Sequence, residues 1–345
     1  MNLAVSLLFL LSNPQGSAES TLERIEREVA AVVEKARPSV VQVVAQLGDA
    51  QFQSHIAQPR SIRFTGIVIS ADGHILSDLG GVEGARSFEV ILHDGRRLEA
   101  KWKAYDRPTA VALLRIDARG LQPVEFADPA LTRQGAIAVL VSNPAGLTQS
   151  STVGFLSGVN RSIKVGGLRY DDMLQTSAAV QSGDVGGLLA NSRGQLLGMI
   201  HSRYVPDGIE PDPAGFLRPV PREGLDFLPA GGPTVGFATP VSTLRFVSDR
   251  LMKFGHVQRG WAGLGLQRAK EGAQAVEVSK NGPADKAGIR RGDVVLEFDG
   301  QAVTDLAAMR RRVIEAEVPS TLRLKVRRAA ATLDLEVTLQ AEPTP

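Results

Sequence analysis

Nucleophilic chemistry could be assembled in this chain from Ser177 and Ser182, which lie in the segment LQTSAAVQSGDVGG (Leu174 to Gly187), and from His74 and His201. A serine hydroxyl attacks a carbonyl only with a base in hydrogen-bond reach, and the base needs its own orienting group. Ordinary positions account for three of the four. Ser182 is a turn residue, His74 follows the Asp72-Gly73 turn in a strand-like run, and His201 ends the apolar run Leu196 to Ile200. Nothing in their spacing assembles a nucleophile, a base and an orienter. Five scattered histidines, no cysteine and no HExxH-type spacing leave no recognisable metal ligand set, so neither a metal nor another cofactor is expected.

Whatever holds these residues is larger than one core. At 345 residues the chain exceeds the size at which single cores divide, and two domains is the natural count. Hydrophobic residues make up 43%, enough for packed cores without implying a multispanning protein. With 39 basic against 37 acidic residues and no basic run longer than Arg310 to Arg312, nucleic acid is not an expected partner, and that triplet reads as a solvated helix face. The absence of cysteine excludes disulfides and thiol redox chemistry.

Leu3 to Leu11 is almost wholly apolar and too short to span a bilayer, and Gly16-Ser17-Ala18 follow it as small residues of the cleavage-site type. A signal peptide over 1–18 and export to the periplasm or cell envelope are therefore expected, although no Lys or Arg precedes the apolar run. Ser20 to Glu23 has capping-box form, and Leu22, Ile25, Val29, Val32 and Ala36 recur at helical spacing before Pro38. An amphipathic helix over 19–37 follows, its stripe docking on its own domain or on sister subunits. From 38 to 245 short apolar runs (Val40 to Val44, Gly66 to Ser70, Phe88 to Leu92, Ala112 to Ile116, Ala136 to Val141) are cut by Gly, Pro and Asp-Gly turns, the pattern of an all-β barrel or sandwich. A long irregular loop over 202–234 carries seven prolines, from Pro206 to Pro233. Near the C-terminus, Leu306, Met309 and Val313 share one helical face within Asp305 to Glu315.

Several collinear segments resemble the HtrA/Deg family of PDZ-bearing serine proteases. Leu174 to Gly187 is similar to that family's IQTDAAINPGNSGG nucleophile loop without a gap, which places Val185 at the serine. Gly66 to Ala85 (GIVISADGHILSDLGGVEGA) resembles the histidine loop GxVIxxDGxILTNNHVVxGA and places Gly80 at the base. Asp106 to Asp117 (DRPTAVALLRID) resembles DPxTDIALLKID and places Ala110 at the orienting aspartate. Framework segments also match: Val33 to Val43, Ser142 to Ser162, and Val235 to Val241. In the last third, Arg259 to Gln267 (RGWAGLGLQ) and Asn281 to Val303 (NGPADKAGIRRGDVVLEFDGQAV) resemble the carboxylate-binding loop and the body of a PDZ domain.

The resemblance implies a mainly β fold: a trypsin-like double six-stranded barrel over 38–245, a linker over 246–256, and an α+β PDZ domain over 257–342. It implies that no catalytic triad stands at Gly80, Ala110 and Val185, with a vestigial oxyanion hole at the N–H groups of Gly183 and Val185. A chain without these three groups is expected not to be an enzyme but to bind polypeptides or protein C-termini as an adaptor, chaperone-like or regulatory factor. An active serine-type endopeptidase with a rearranged site and a regulatory subunit of an active paralogue are the alternatives. Peptide binding falls to Trp261, Ala262, Gly263 and Leu264, whose backbone N–H groups would hold a terminal carboxylate, and to Leu266, Leu306, Met309 and Val313 as groove walls. Other expected partners are further copies in a trimer or an active paralogue in a mixed oligomer. The loop 202–234 is expected to cover the cleft between the barrels.

Overall fold

The computed structural model describes residues 19–47, 61–144, 149–165, 168–181, 183–204, 209–211, 217–219 and 235–343. The signal peptide expected over 1–18, Ser182 and most of the loop 202–234 lie outside the described residues, so the cleft-covering role of that loop rests on sequence alone. Helix α1 (Thr21–Ala36) begins at its capping box: Glu23 N–H donates to Ser20 Oγ at 3.2 Å, and Ser20 N–H to Glu23 Oε2 at 2.7 Å. Its apolar stripe is buried only toward the C-terminal end, at Val32 and Ala36, while Leu22 and Ile25 are 77% and 52% exposed.

Six strands follow: β1 (Val40–Leu47), β2 (Ser61–Val68), β3 (His74–Asp78), β4 (Ala85–Ile91), β5 (Arg97–Asp106) and β6 (Val111–Arg115), with the short helix α2 (Leu79–Val82) after β3. They close into a barrel of order β1-β2-β3-β6-β5-β4. A second barrel takes β7 (Ile137–Ser142), β8 (Ser150–Val165), β9 (Leu168–Thr176), β10 (Leu188–Ala190), β11 (Leu196–Tyr204) and, beyond the short hairpin β12 (Ile209–Pro211) and β13 (Leu217–Pro219), β14 (Val235–Pro240). Its order is β10-β11-β14-β9-β8-β7. The mainly β, two-barrel expectation therefore holds.

Side chains alternate across each strand, and the alternation decides where the barrels meet. Val41, Val43 and Ala45 of β1 enter the first barrel's core, whereas Val40, with Ile67, Leu76, Val111 and Leu113, points the other way. There they meet Val139, Val141, Leu188, Ala190 and Met199 of the second barrel in one shared core. Helix α1 contributes Val32 and Ala36 to that core, and α3 (Val241–Phe254) contributes Leu244, Val247 and Leu251. The barrels are thus two faces of one buried junction.

After α3 come β15 (Gly260–Trp261), β16 (Leu264–Arg268), β17 (Ala273–Val278), α4 (Pro283–Lys286), β18 (Val294–Phe298), β19 (Gln301–Ala302), α5 (Leu306–Glu315), β20 (Ser320–Arg328) and β21 (Ala331–Ala341). They form a sheet of order β15-β21-β20-β18-β17-β16, with β19 on β18, around a separate core. Two ion pairs tie this unit to the barrels. Arg259 forks onto Asp106, with Nη1 to Oδ1 at 2.8 Å, and their side chains are 11% and 5% exposed. Arg311 of α5 meets Asp172 of β9 at 2.6 Å.

Candidate active site and peptide-binding groove

The three sequence-aligned positions come from three loops that converge on the junction. Gly80 sits in α2, where its N–H donates to Asp78 Oδ1 at 2.9 Å. Ala110 ends the turn after β5 with φ of 54°, and its carbonyl accepts from Leu79 N–H at 2.7 Å, which puts it beside Gly80. Val185 is locked onto β2: its carbonyl accepts Thr65 N–H at 3.1 Å, while Thr65 Oγ1 donates to Gly183 O at 3.1 Å. Gly186 has φ of 83° and lies so close to β2 that a Cβ there would stand 2.0 Å from the Thr65 carbonyl, so only glycine fits. No described residue engages the N–H groups of Gly183 and Val185.

A pair that sequence reasoning missed lies in the same place. His201 Nδ1 is 2.6 Å from Asp78 Oδ2, and the two side chains are 6% and 5% exposed. The ring of Tyr170 packs over the imidazole at 4.3 Å between centroids. Burial, then the nearby Asp78 carboxylate, pushes the Tyr170 hydroxyl's pKa up. His201 Nε2 is buried with no hydrogen-bond partner among the described residues. The signal for the pair is faint in the sequence: Asp78 stands two residues before the expected base position, and 123 residues separate it from His201. Neither Ser177 nor His74 joins it. Ser177 Oγ accepts from Phe155 N–H, and His74 is held by Ser70 and Asp72.

Asp184, next to Val185, is buried and accepts from Ser142 Oγ at 2.6 Å and Gln181 N–H at 2.5 Å. Burial raises its carboxyl above the usual carboxylate range, and those two donors offset part of the rise.

In the C-terminal unit, β16 pairs with β17 on one side and, among the described residues, has no strand on the other. Ala275, opposite Leu266, spends its N–H on Asp293 O and its carbonyl on Gly292 N–H. The N–H and C=O of Leu266 therefore point to the open edge. Arg310 of α5 crosses that edge and donates from Nη2 to Leu266 O at 3.0 Å. The loop before β16 is fixed through its carbonyls, Ala262 O accepting Ala284 N–H and Gly263 O accepting Ser279 N–H, both at 2.9 Å. The N–H groups of Ala262 and Gly263 are engaged by no described residue. Leu266 and Met309 are 8% and 6% exposed and fill the core, while Leu264, Leu306 and Val313 are partly buried against it. Leu264, Trp261 and Ala262 stay half-buried around the carboxylate loop.

A trypsin-like peptidase domain family matches residues 64–199 and a PDZ domain family matches residues 260–339. A probable periplasmic serine endoprotease, DegP-like, of Chlamydia trachomatis is 30% identical over 95% of this chain and 71% of its own length. The chain belongs to the DegP-like family of HtrA-type proteases. A Rhizobium meliloti relative of the same printed name is 34% identical over 79% of this chain but only 52% of its own length, so this chain spans about half of several relatives it matches. Among solved structures, the HtrA-type protease AlgW with a tripeptide superposes with a TM-score of 0.73 at 25% identity, covering 92% of this chain and 98% of that one. A serine endoprotease from Yersinia pestis gives 0.62 at 25% identity, covering 91% and 98%.

These relatives correct the expectation that the chain is not an enzyme. They carry the names of serine endoproteases and HtrA-type proteases. The physical flaw in that expectation is that it weighed three positions alone. A junction that lacks acid–base groups at Gly80 and Ala110 holds a histidine–carboxylate pair from Asp78 and His201 instead.

Proposed function

We propose that this chain is an exported HtrA-type protein that captures polypeptide C-termini in its PDZ groove and cleaves polypeptide at a rearranged site in the barrel junction. The observation that carries the binding half is the edge of β16 beside α5, where no described strand pairs, with a loop at its start whose Ala262 and Gly263 N–H groups no described residue engages. Gly80, Ala110 and Val185 occupy the usual triad places in this reading, so acid–base chemistry falls to other groups. The N–H groups of Gly183 and Val185 are the donors that would receive a developing oxyanion. The periplasmic names of the relatives support export. Self-association is supported by apolar surface near α1, where exposed Ile25 on the helix and Val153 on β8 line one hollow.

Casein is the test substrate. The expected result is cleavage that survives repurification and disappears on a point substitution within this chain. Cleavage that separates from the protein during purification, or none at all, would overturn the endopeptidase half. Calorimetry with free-acid peptides tests the binding half independently.

A further inference from the structure

We propose that His201 is the general base of the rearranged site and Asp78 its positioning residue, an inference that rests on the endopeptidase reading above. The two residues meet at 2.6 Å through Nδ1, so Nδ1–H donates to the carboxylate and the lone pair falls on Nε2. Asp78 is itself anchored, because its other oxygen accepts the Gly80 N–H at 2.9 Å. Tyr170 packs over the ring and limits its rotation. The Nε2 acceptor has no partner among the described residues although it is buried, and a buried polar atom of that kind calls for a proton donor.

The backbone brings this base to the loop that ends at Val185. Gly186 N–H donates to Ile200 O at 2.7 Å and Ile200 N–H to Gly187 O at 2.9 Å, so two residues of the loop oppose one of β11 as a bulge. Val185 precedes Gly186 and His201 follows Ile200, so the two stand next beyond this hydrogen-bonded contact. Ser77, next to Asp78, closes the ring of contacts, since a Cβ on Gly186 would stand 2.9 Å from Ser77 Oγ. His201 therefore lies one residue beyond a backbone contact to the loop that carries Val185, the position aligned with the nucleophile.

With valine at 185, the nucleophile is water. His201 Nε2 takes a proton from water as its oxygen bonds to the carbonyl carbon, and the oxyanion forms against the two N–H groups. The same proton passes to the amide nitrogen as the C–N bond breaks. One water is consumed and the imidazole is regenerated neutral.

The chain has no cysteine, so Val185→Cys introduces a single thiol as a reporter of this base. The experiment follows iodoacetamide alkylation against pH for Val185→Cys and for Val185→Cys/His201→Gln, with circular dichroism checking that both fold. The titratable groups around the thiol are His201, its partner Asp78, the Tyr170 hydroxyl and the buried Asp184. A thiol beside an imidazole ionises lower than an isolated one. With His201 present it is expected to titrate at least about one pH unit lower and to react about tenfold faster at neutral pH. Val185→Cys/Asp78→Asn retains the imidazole and is expected to fall between the two. Equal titration with and without His201, or a thiol that no reagent reaches in the folded protein, overturns the proposal. Casein cleavage by the unsubstituted chain is a separate measurement, so a failure of the endopeptidase reading is told apart from a failure of this one.

Discussion

Arg259→Met tests how firmly the PDZ domain is docked on the barrels. Arg259 presents both guanidinium nitrogens to Asp106, with side chains 11% and 5% exposed, and Thr109 Oγ1 supplies the remaining hydrogen bond to that carboxylate at 2.5 Å. Removing Arg259 leaves a nearly dry carboxylate with a single hydroxyl donor. Breaking a buried pair in this way costs about 3–5 kcal/mol, whereas replacing both partners by apolar groups is close to neutral. The double variant Asp106→Leu/Arg259→Met should therefore recover most of the loss, and the cycle should give a coupling of at least about 3 kcal/mol. The two tryptophans allow the domains to be read separately, since Trp102 lies on β5 and Trp261 in the PDZ domain. In a Trp102→Phe background, Trp261 fluorescence follows the PDZ domain alone through urea unfolding. At an m-value of about 2 kcal/mol per M, a loss of about 3 kcal/mol lowers its midpoint by about 1.5 M. A loss below about 1 kcal/mol would mean that water screens the pair, and the docking described here would be wrong.

Arg310→Ala frees the Leu266 carbonyl on the open edge of β16 and should tighten binding of a free-acid peptide several-fold by calorimetry; unchanged or weaker binding tells against strand addition at that edge. Amidating the peptide's C-terminus removes the carboxylate and should cost about tenfold in affinity, while equal binding of the two peptides denies the Trp261–Leu264 loop its role. Asp184 has a raised folded-state pKa, so its protonated form favours the fold and that contribution is lost as pH rises from the ordinary value of 3.8 through the raised one. Asp184→Asn should consequently gain stability relative to the parent across that window when melting is compared at acid and neutral pH, and a difference independent of pH would contradict the burial argument.

The barrels were legible because their strands carry their own punctuation: Asp72-Gly73 turns the chain into β3, and the valines of β1 alternate between two cores. Helix α1 was legible for a local reason too, since Ser20 and Glu23 satisfy each other's donors. The aligned loops led to the junction but not to its contents. Asp78 lies unremarked in the segment aligned with the histidine loop and His201 ends an apolar run, because a pair 123 residues apart leaves no periodicity to read. Met309 sinks into the core while Leu306 and Val313 stay partly buried, since helical spacing identifies an apolar face without saying how deeply each residue sinks. Arg310 belonged to a basic triplet read as solvated, yet its neighbour Arg311 reaches Asp172 and Arg310 itself reaches Leu266.

The shared core has a consequence for when the cleft can come into being. Its lining draws on α1 at one end of the barrel region and on α3, which ends at Phe254, at the other. A chain emerging from its N-terminus can pair β1 to β6 early, but the junction stays open until Val241 to Phe254 arrives. Contacts that span most of a domain form late, because the loop they close must be ordered first. The shared core is thus among the last parts of the barrels to assemble. A truncation that removes Leu244, Val247 and Leu251 is expected to open that core rather than trim a tail.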